Sequence, residues 1–341
     1  MKVELKKWSL DDKKQLMDIC NSVERDYLSD RLPYPYTEEC ADWWLNMVLE
    51  HDGKDGVFRA IVADGKIVGN ISVEQKSDVY KKDAEIGYML ATEEWSRGIM
   101  TEAVKKICEE AFEVLPILRI TGMVYAPNTA SRRVLEKNGF ELEGIMKNAV
   151  VKNGRIYDLC IYGKSEIQII PAYDFPQEVN TLFSEYTQML VDNDPAFGEY
   201  LAIQNYEEEL KHLREKYGMP EGRLYLAYCG GQLAGCIGLG KINDARCEMK
   251  RLYVRPEFRG KCIGSMLIQK IIEDAKEIGY QHMLLDTLPF LESAVHMYKK
   301  WGFYEIESYN DSPMETSIYM RLDLVCQEEK KRWRSWNFVR K

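Results

Sequence analysis

The stretch Met249–Ile268, MKRLYVRPEFRGKCIGSMLI, decides the reading of this chain. It runs as an apolar strand, MKRLYV, a short turn at Pro256, the segment RGKCIG, and then an amphipathic helix. A tight, basic turn that opens a helix presents unpaired backbone N–H groups and the positive end of the helix dipole. Together these make an anion site suited to phosphate. The same grammar stands about 160 residues earlier, at Glu85–Val104, EIGYMLATEEWSRGIMTEAV. Two copies of strand, anion loop and helix imply two related nucleotide-binding domains.

The glycine pattern alone is weak, because G-x-G turns recur widely. Its usual owners can be tested. No G-x-x-x-x-G-K-[ST] run exists, so this is not a Walker A loop. Neither copy supplies the three glycines of a dinucleotide fingerprint. The pattern that fits is [QR]-x-x-G-x-[GA] after a strand, and here the chain resembles the GNAT superfamily of acyl-CoA-dependent N-acyltransferases. The resemblance implies that the loop amides bind the pyrophosphate of coenzyme A. The second loop is Arg259, Gly260, Lys261, Cys262, Ile263 and Gly264, with Cys262 where glycine is usual. The first is Ser96, Arg97, Gly98, Ile99 and Met100 after Trp95, with Met100 where a small residue is usual.

Composition bounds the rest. A chain of 341 residues with 45% hydrophobic and 30% charged residues suits about two ordinary globular domains. No apolar run reaches the roughly 18 residues of a membrane span. The N-terminus lacks the apolar core of a secretory signal. Nine scattered cysteines without a C-x-x-C pair read as reduced thiols of a cytoplasmic protein. Four dispersed histidines give no zinc spacing, so no metal is expected. The net charge of −9 argues against a nucleic-acid partner and suits a cationic acceptor. The last dozen residues, KKRWRSWNFVRK, are basic and carry two tryptophans. They read as a tail that packs on the domain or on a second subunit of a homodimer, with binding to RNA or an acidic surface as the alternative.

Hydrophobic periodicity and turn signals place the elements. Domains are expected at 1–165 and 166–325, followed by the tail at 326–341. Each reads as strand, helices, three strands, helix, strand, helix and two strands. The resemblance implies that each is a GNAT fold: an α/β (α+β) domain with a mixed, mostly antiparallel sheet, flanked by helices and splayed where the cofactor enters. In that family the strand before the anion loop pairs with the pantetheine arm. This role falls on Tyr88, Met89 and Leu90, and on Leu252, Tyr253 and Val254.

Acyl transfer to an amine requires a neutral amine, a stabilised thioester oxygen and protonation of the leaving thiolate. No Ser-His-Asp or Cys-His pairing is evident. The segment Thr287–Phe303, TLPFLESAVHMYKKWGF, resembles the family's N/S-x-x-A-x-x-x-Y-x-x-x-G-F. This implies Tyr298 as general acid and Ser293 as a coenzyme contact, while a mere packing role for Tyr298 stays open. The first domain has NTASRRVLEKNGF, with Glu136 where the tyrosine would stand. Its Asn128 and Ser131 match the N-x-x-S of the branch that acetylates ribosomal-protein N-termini. The match implies a coenzyme contact by Asn128 and a thiol contact by Ser131. Glu85 and Glu248, one on each pre-loop strand, are the candidate bases, or else solvated strand residues. The expected activity is acetyl transfer from acetyl-CoA to a primary amine. The acceptor is an amino acid, polyamine, aminoglycoside or protein N-terminus. The alternative makes one domain a structural or acyl-CoA-sensing module, and the first is the candidate for it.

Overall fold

The computed structural model describes residues 2–193, 212–310 and 316–324. The expected helix at 197–217 is therefore seen only from Leu213, and the basic tail lies outside the described residues. The chain folds as two compact units, Met1–Glu166 and Ile167–Lys341.

Unit 1 runs β1 (Val3–Lys7), α1 (Lys13–Ser22), α2 (Glu38–His51), β2 (Gly56–Ala63), β3 (Lys66–Gln75), β4 (Asp83–Leu90), α3 (Ile99–Val114), β5 (Arg119–Tyr125), α4 (Thr129–Lys137), β6 (Glu141–Lys152) and β7 (Arg155–Ser165). Local chemistry sets the boundaries. Ser9 and Asp12 form a capping box before α1, and Thr37 accepts the Cys40 N–H to start α2. The sheet order is β1-β2-β3-β4-β5-β7-β6. Only β4 and β5 are parallel.

Unit 2 runs β8 (Ile167–Pro171), α5 (Pro176–Asn193), α6 (Leu213–Tyr217), β9 (Arg223–Cys229), β10 (Gln232–Asn243), β11 (Arg246–Val254), α7 (Ile263–Ile278), β12 (His282–Thr287), α8 (Glu292–Lys300), β13 (Tyr304–Ile306) and β14 (Ile318–Asp323). Its sheet order is β13-β14-β12-β11-β10-β9-β8, with β11 and β12 parallel. Both sheets are thus mixed and mostly antiparallel, as the resemblance implied.

The parallel pair in each unit holds together for only three residues. β4 and β5 pair from Asp83↔Arg119 to Glu85↔Thr121, although β4 continues to Leu90 and β5 to Tyr125. β11 and β12 pair from Arg246↔His282 to Glu248↔Leu284, although they continue to Val254 and Thr287. Past each glutamate the strands splay. Beyond those residues one edge of β4 and of β11 no longer pairs with the neighbouring strand.

Alternation assigns the faces of β4. Ile86, Tyr88 and Leu90 join the cluster built on α3, whose Ile99, Ala103, Val104, Ile107 and Ala111 repeat at helical spacing. Met89 packs into the cluster of α1 and α2. Glu85 and Gly87 share the face of Met89. In unit 2, Tyr253 packs with Phe183 of α5, while Val254 lies against Gly264 at the start of α7. Each sheet is therefore covered on both faces, and each splay opens between them.

Candidate active site

The two anion loops share one backbone. Ser96 and Gly98 have φ of 62° and 79°, and Gly260 and Cys262 have 83° and 62°. Each loop therefore needs two left-handed residues and has glycine at one of them, the first in unit 2 and the second in unit 1. Cys262 and Ser96 hold the remaining position at a conformational cost. Gly98 and Cys262 are the N-caps of α3 and α7, and neither helix receives a side-chain cap. The first-turn amides of two 16-residue helices are left for an anion. This fits a pyrophosphate and is the structural case for a coenzyme A site in each unit.

The flanking cations are placed less simply. Arg97 is paired with Glu94 and Asp64. Arg259 donates through Nε to the carbonyl of Val254 at 3.2 Å, which closes the strand into the loop. Ile99 and Ile263 are buried and anchor their helices. A Cβ at Gly264 would lie 3.2 Å from Met297 Cε of α8. Met100, its counterpart, is itself buried in the core of unit 1.

A cleft of about 1530 Å³ gathers the unit 1 candidates. It is lined by Glu85, Tyr88, Met89, Leu90, Gly98, Ile99, Met100, Asn128 and Ser131. Glu85 stands at the last paired position before the splay, directly across from Glu74 of β3. Burial pushes its carboxyl above the usual carboxylate range, with Lys76 and Arg31 pulling it partly back. Among the described residues it has no hydrogen-bond or ion-pair partner. On the opposite face, Tyr88 Oη lies 2.7 Å from Ser131 Oγ. Burial pushes the Tyr88 phenol up to about 12, against the pull of the Ser131 hydrogen bond. The Asn128 carbonyl oxygen is occupied, accepting the Ser131 N–H at 3.1 Å as the cap of α4. Its amide nitrogen is the part left to meet a ligand. Glu136, in the place of the family tyrosine, accepts from Tyr162 at 2.7 Å.

Unit 2 is built differently at the same point. Glu248 also ends the parallel pairing, but both its oxygens are engaged. Oε1 accepts from Tyr309 at 2.7 Å, and Oε2 pairs with Lys250 Nζ at 3.0 Å. Burial pulls the Lys250 ammonium down, yet Glu248 and Asp286 outweigh it and hold it above the usual range. Burial, then Glu248 and Asp286, drive the Tyr309 phenol far upward, so it remains a donor. β11 also carries a bulge that β4 lacks. Its register with β10 jumps between Cys236↔Tyr253 and Gly238↔Lys250, with Arg251 at φ 56° beneath the jump. β3 and β4 pair without a break from Gly69↔Leu90 to Gln75↔Ala84. Tyr298, on α8, is buried against Phe303, with ring centroids 5.9 Å apart. Burial, then Tyr186 and Asp286, raise its phenol strongly. Its hydroxyl has no hydrogen-bond partner among the described residues. Ser293 sits exposed in the first turn of α8. Leu252 is half-buried at the splayed edge, and Tyr253 meets Tyr186 at 5.9 Å.

Sequence reading missed three of these features. Lys250 was legible, being two residues from Glu248 on one strand and so on one face. Tyr309 reaches Glu248 across 61 residues, and nothing local announces it. The bulge places an arginine in a left-handed conformation, which no residue type signals.

Comparison with known proteins agrees with the geometry. Residues 2–141 match the family described as acetyltransferase (GNAT) domain, and residues 186–303 match the acetyltransferase (GNAT) family. An uncharacterized N-acetyltransferase of Schizosaccharomyces pombe is 39% identical over 160 residues, which are 46% of this chain and 94% of that protein. Another, from Dictyostelium discoideum, is 31% identical over 221 residues and is covered to 99%. Among solved structures, a ribosomal L7/L12 alpha-N-protein acetyltransferase in complex with coenzyme A aligns with 48% of this chain and 93% of its own. The identity is 23% and the TM-score 0.44.

Proposed function

The chain belongs to the GNAT family of N-acetyltransferases, and on that premise we propose that each of its domains, 1–165 and 166–325, carries a site for acetyl transfer to a primary amine. The acceptor is an amino acid, a polyamine, an aminoglycoside or a protein N-terminus, and the enzyme works in the cytoplasm. In unit 1 the amine enters on the face of Glu85, and the elevated carboxylate takes its proton. The amides of the splayed edge of β4 face the thioester oxygen as it gains charge. Tyr88 and Ser131, on the far face, return a proton to the departing sulfur. A phenol of raised pKa donates only as the thiolate forms, so the transfer is concerted with bond breaking. No covalent enzyme intermediate is needed.

One observation carries this reading. A carboxylate without a partner among the described residues and a hydroxyl pair at 2.7 Å flank the same splay from opposite faces. In unit 2 Tyr298 takes the acid role. A second reading of that unit, as an acyl-CoA-sensing module, is favoured by Glu248, whose oxygens are held by Tyr309 and Lys250.

The test is an acceptor panel that follows release of free CoA thiol from the full chain and from Glu85→Gln. The proposal expects turnover with at least one primary amine, lost in the variant. Turnover that survives Glu85→Gln with every acceptor would remove the base from unit 1.

A further inference from the structure

The amine-facing end of the unit 1 cleft carries a group of rings that the transfer chemistry does not use. Tyr27, from the connector between α1 and α2, stands perpendicular to Tyr125 at the end of β5, with centroids 6.2 Å apart and planes at 89°. Tyr157 of β7 stacks beside Tyr125 at 6.2 Å and 21°, and faces Tyr27 at 6.5 Å and 71°. Tyr27 and Tyr125 line the cleft, and Tyr27 is 39% exposed, so the corner they make opens to solvent. With centroids 6.2 Å apart, a cation seated at that corner would fall inside the roughly 6 Å range of cation–π attraction for both rings. The connector that brings Tyr27 is tied to the β6–β7 hairpin by the ion pair of Asp30 with buried Lys152.

Position agrees. Tyr125 lies on the face of Glu85, because Thr121 is the register partner of Glu85 and Tyr125 follows it by four residues. The rings are therefore about 13 Å along the strand from the base. Glu24, Glu39, Glu74 and Glu85 line the same cleft. Against these and Glu94 stand Arg31 and Lys76, the latter paired with Asp83 at 2.6 Å, and Arg133 and Lys137 of α4.

We infer that Tyr27, Tyr125 and Tyr157 form a cation box for a second ammonium group of the acceptor, which makes unit 1 an acetyltransferase of aliphatic di- and polyamines. The inference rests on the reading of unit 1 as an amine acetyltransferase. One ammonium stays charged among the rings while the other amine is deprotonated by Glu85. Tyr157 contributes by holding Tyr125 upright.

Two measurements on the full chain test this. The first uses choline, a quaternary ammonium with no amine to acetylate, against 3,3-dimethylbutan-1-ol, its neutral carbon isostere. Calorimetry should show choline bound at least about fivefold more tightly. Tyr125→Leu and Tyr27→Leu should erase that preference, and the phenylalanine variants should keep it. The second compares kcat/KM for α,ω-diaminoalkanes with that for n-alkylamines of equal length. The ratio should fall about tenfold in the leucine variants and hold in the phenylalanine ones. Equal binding of choline and the alcohol, or a preference that survives both leucine changes, overturns the inference whatever the turnover. Intact choline preference with no thiol release from any amine overturns acetyl transfer in unit 1 instead, and leaves the cation site standing.

Discussion

The two units share a topology and a loop backbone yet treat their central glutamate in opposite ways. Glu85 is half-buried, has no hydrogen-bond or ion-pair partner among the described residues, and holds its proton more tightly than an ordinary carboxyl. Glu248 is half-buried in a set that satisfies it, between Tyr309 and Lys250. The fold fixes where each glutamate stands, at the last paired residue before the splay. Its neighbours fix what it can do. A carboxylate of raised pKa is a better base near neutral pH, and a carboxylate locked in an ion pair is a structural group.

The largest expected effect follows from Glu85. Glu85→Gln should lower kcat for the unit 1 acceptor by about 10³-fold, within the range of general base catalysis. The acid limb of the kcat/KM profile should vanish with it, because activity is lost as Glu85 protonates. The same variant should gain stability. A raised folded-state pKa favours folding below the unfolded value and loses that contribution as pH rises through the folded one. The Tm of Glu85→Gln should therefore exceed the parent's at neutral pH, with the gap closing below about pH 4. A Tm advantage that grows toward acid would mean that Glu85 is stabilised, not strained.

Unit 2 should answer the same change with the opposite sign. Glu248→Gln strands the Lys250 ammonium, whose side chain is only 14% exposed, and should cost about 3 kcal/mol. Denaturant melts of the two glutamine variants, side by side, decide whether the contrast holds. A stable Glu248→Gln protein would erase it.

The acids should differ less. Tyr298→Phe and Tyr88→Phe each remove one hydroxyl and keep the ring, and each should lower kcat of its own unit by about 10²-fold. Acetyl-CoA binding should change little. Tyr88 has Ser131 at 2.7 Å to share its proton, so Ser131→Ala should reproduce part of the loss in unit 1. Near-normal kcat in Tyr298→Phe would reduce that residue to packing against Phe303. The smallest effect concerns the loops. Cys262→Gly relieves a left-handed side chain and should stabilise unit 2 by up to about 1 kcal/mol, read as a shift in the melting midpoint.

Much of this was written in the sequence, because the signals are local. Strand, loop and helix follow each other within twenty residues, and the two left-handed loop positions fall where glycine alternates with Ser96 or Cys262. The splayed glutamates follow from counting back along β4 and β11. What was illegible depends on approach from a distance. Tyr88 reads as a strand residue until α4 brings Ser131 to it from 43 positions away. Tyr309 reads as a loop residue until the segment after β13 brings its hydroxyl to Glu248 of β11. Tyr27, Tyr125 and Tyr157 come from a connector and two strands, and only the folded sheet brings them together.

The central claim is that one chain carries two acetyl-transfer sites with separable acid–base machinery. Thiol release from acetyl-CoA by the full chain tests it most directly, across one acceptor panel, in the parent, Glu85→Gln, Tyr298→Phe and the double variant. The account predicts that each single variant slows a different subset of acceptors, by about 10³-fold for Glu85→Gln and about 10²-fold for Tyr298→Phe, and that the double variant slows both subsets. Double-variant activity equal to the parent's, or the same acceptors slowed in both single variants, would contradict it.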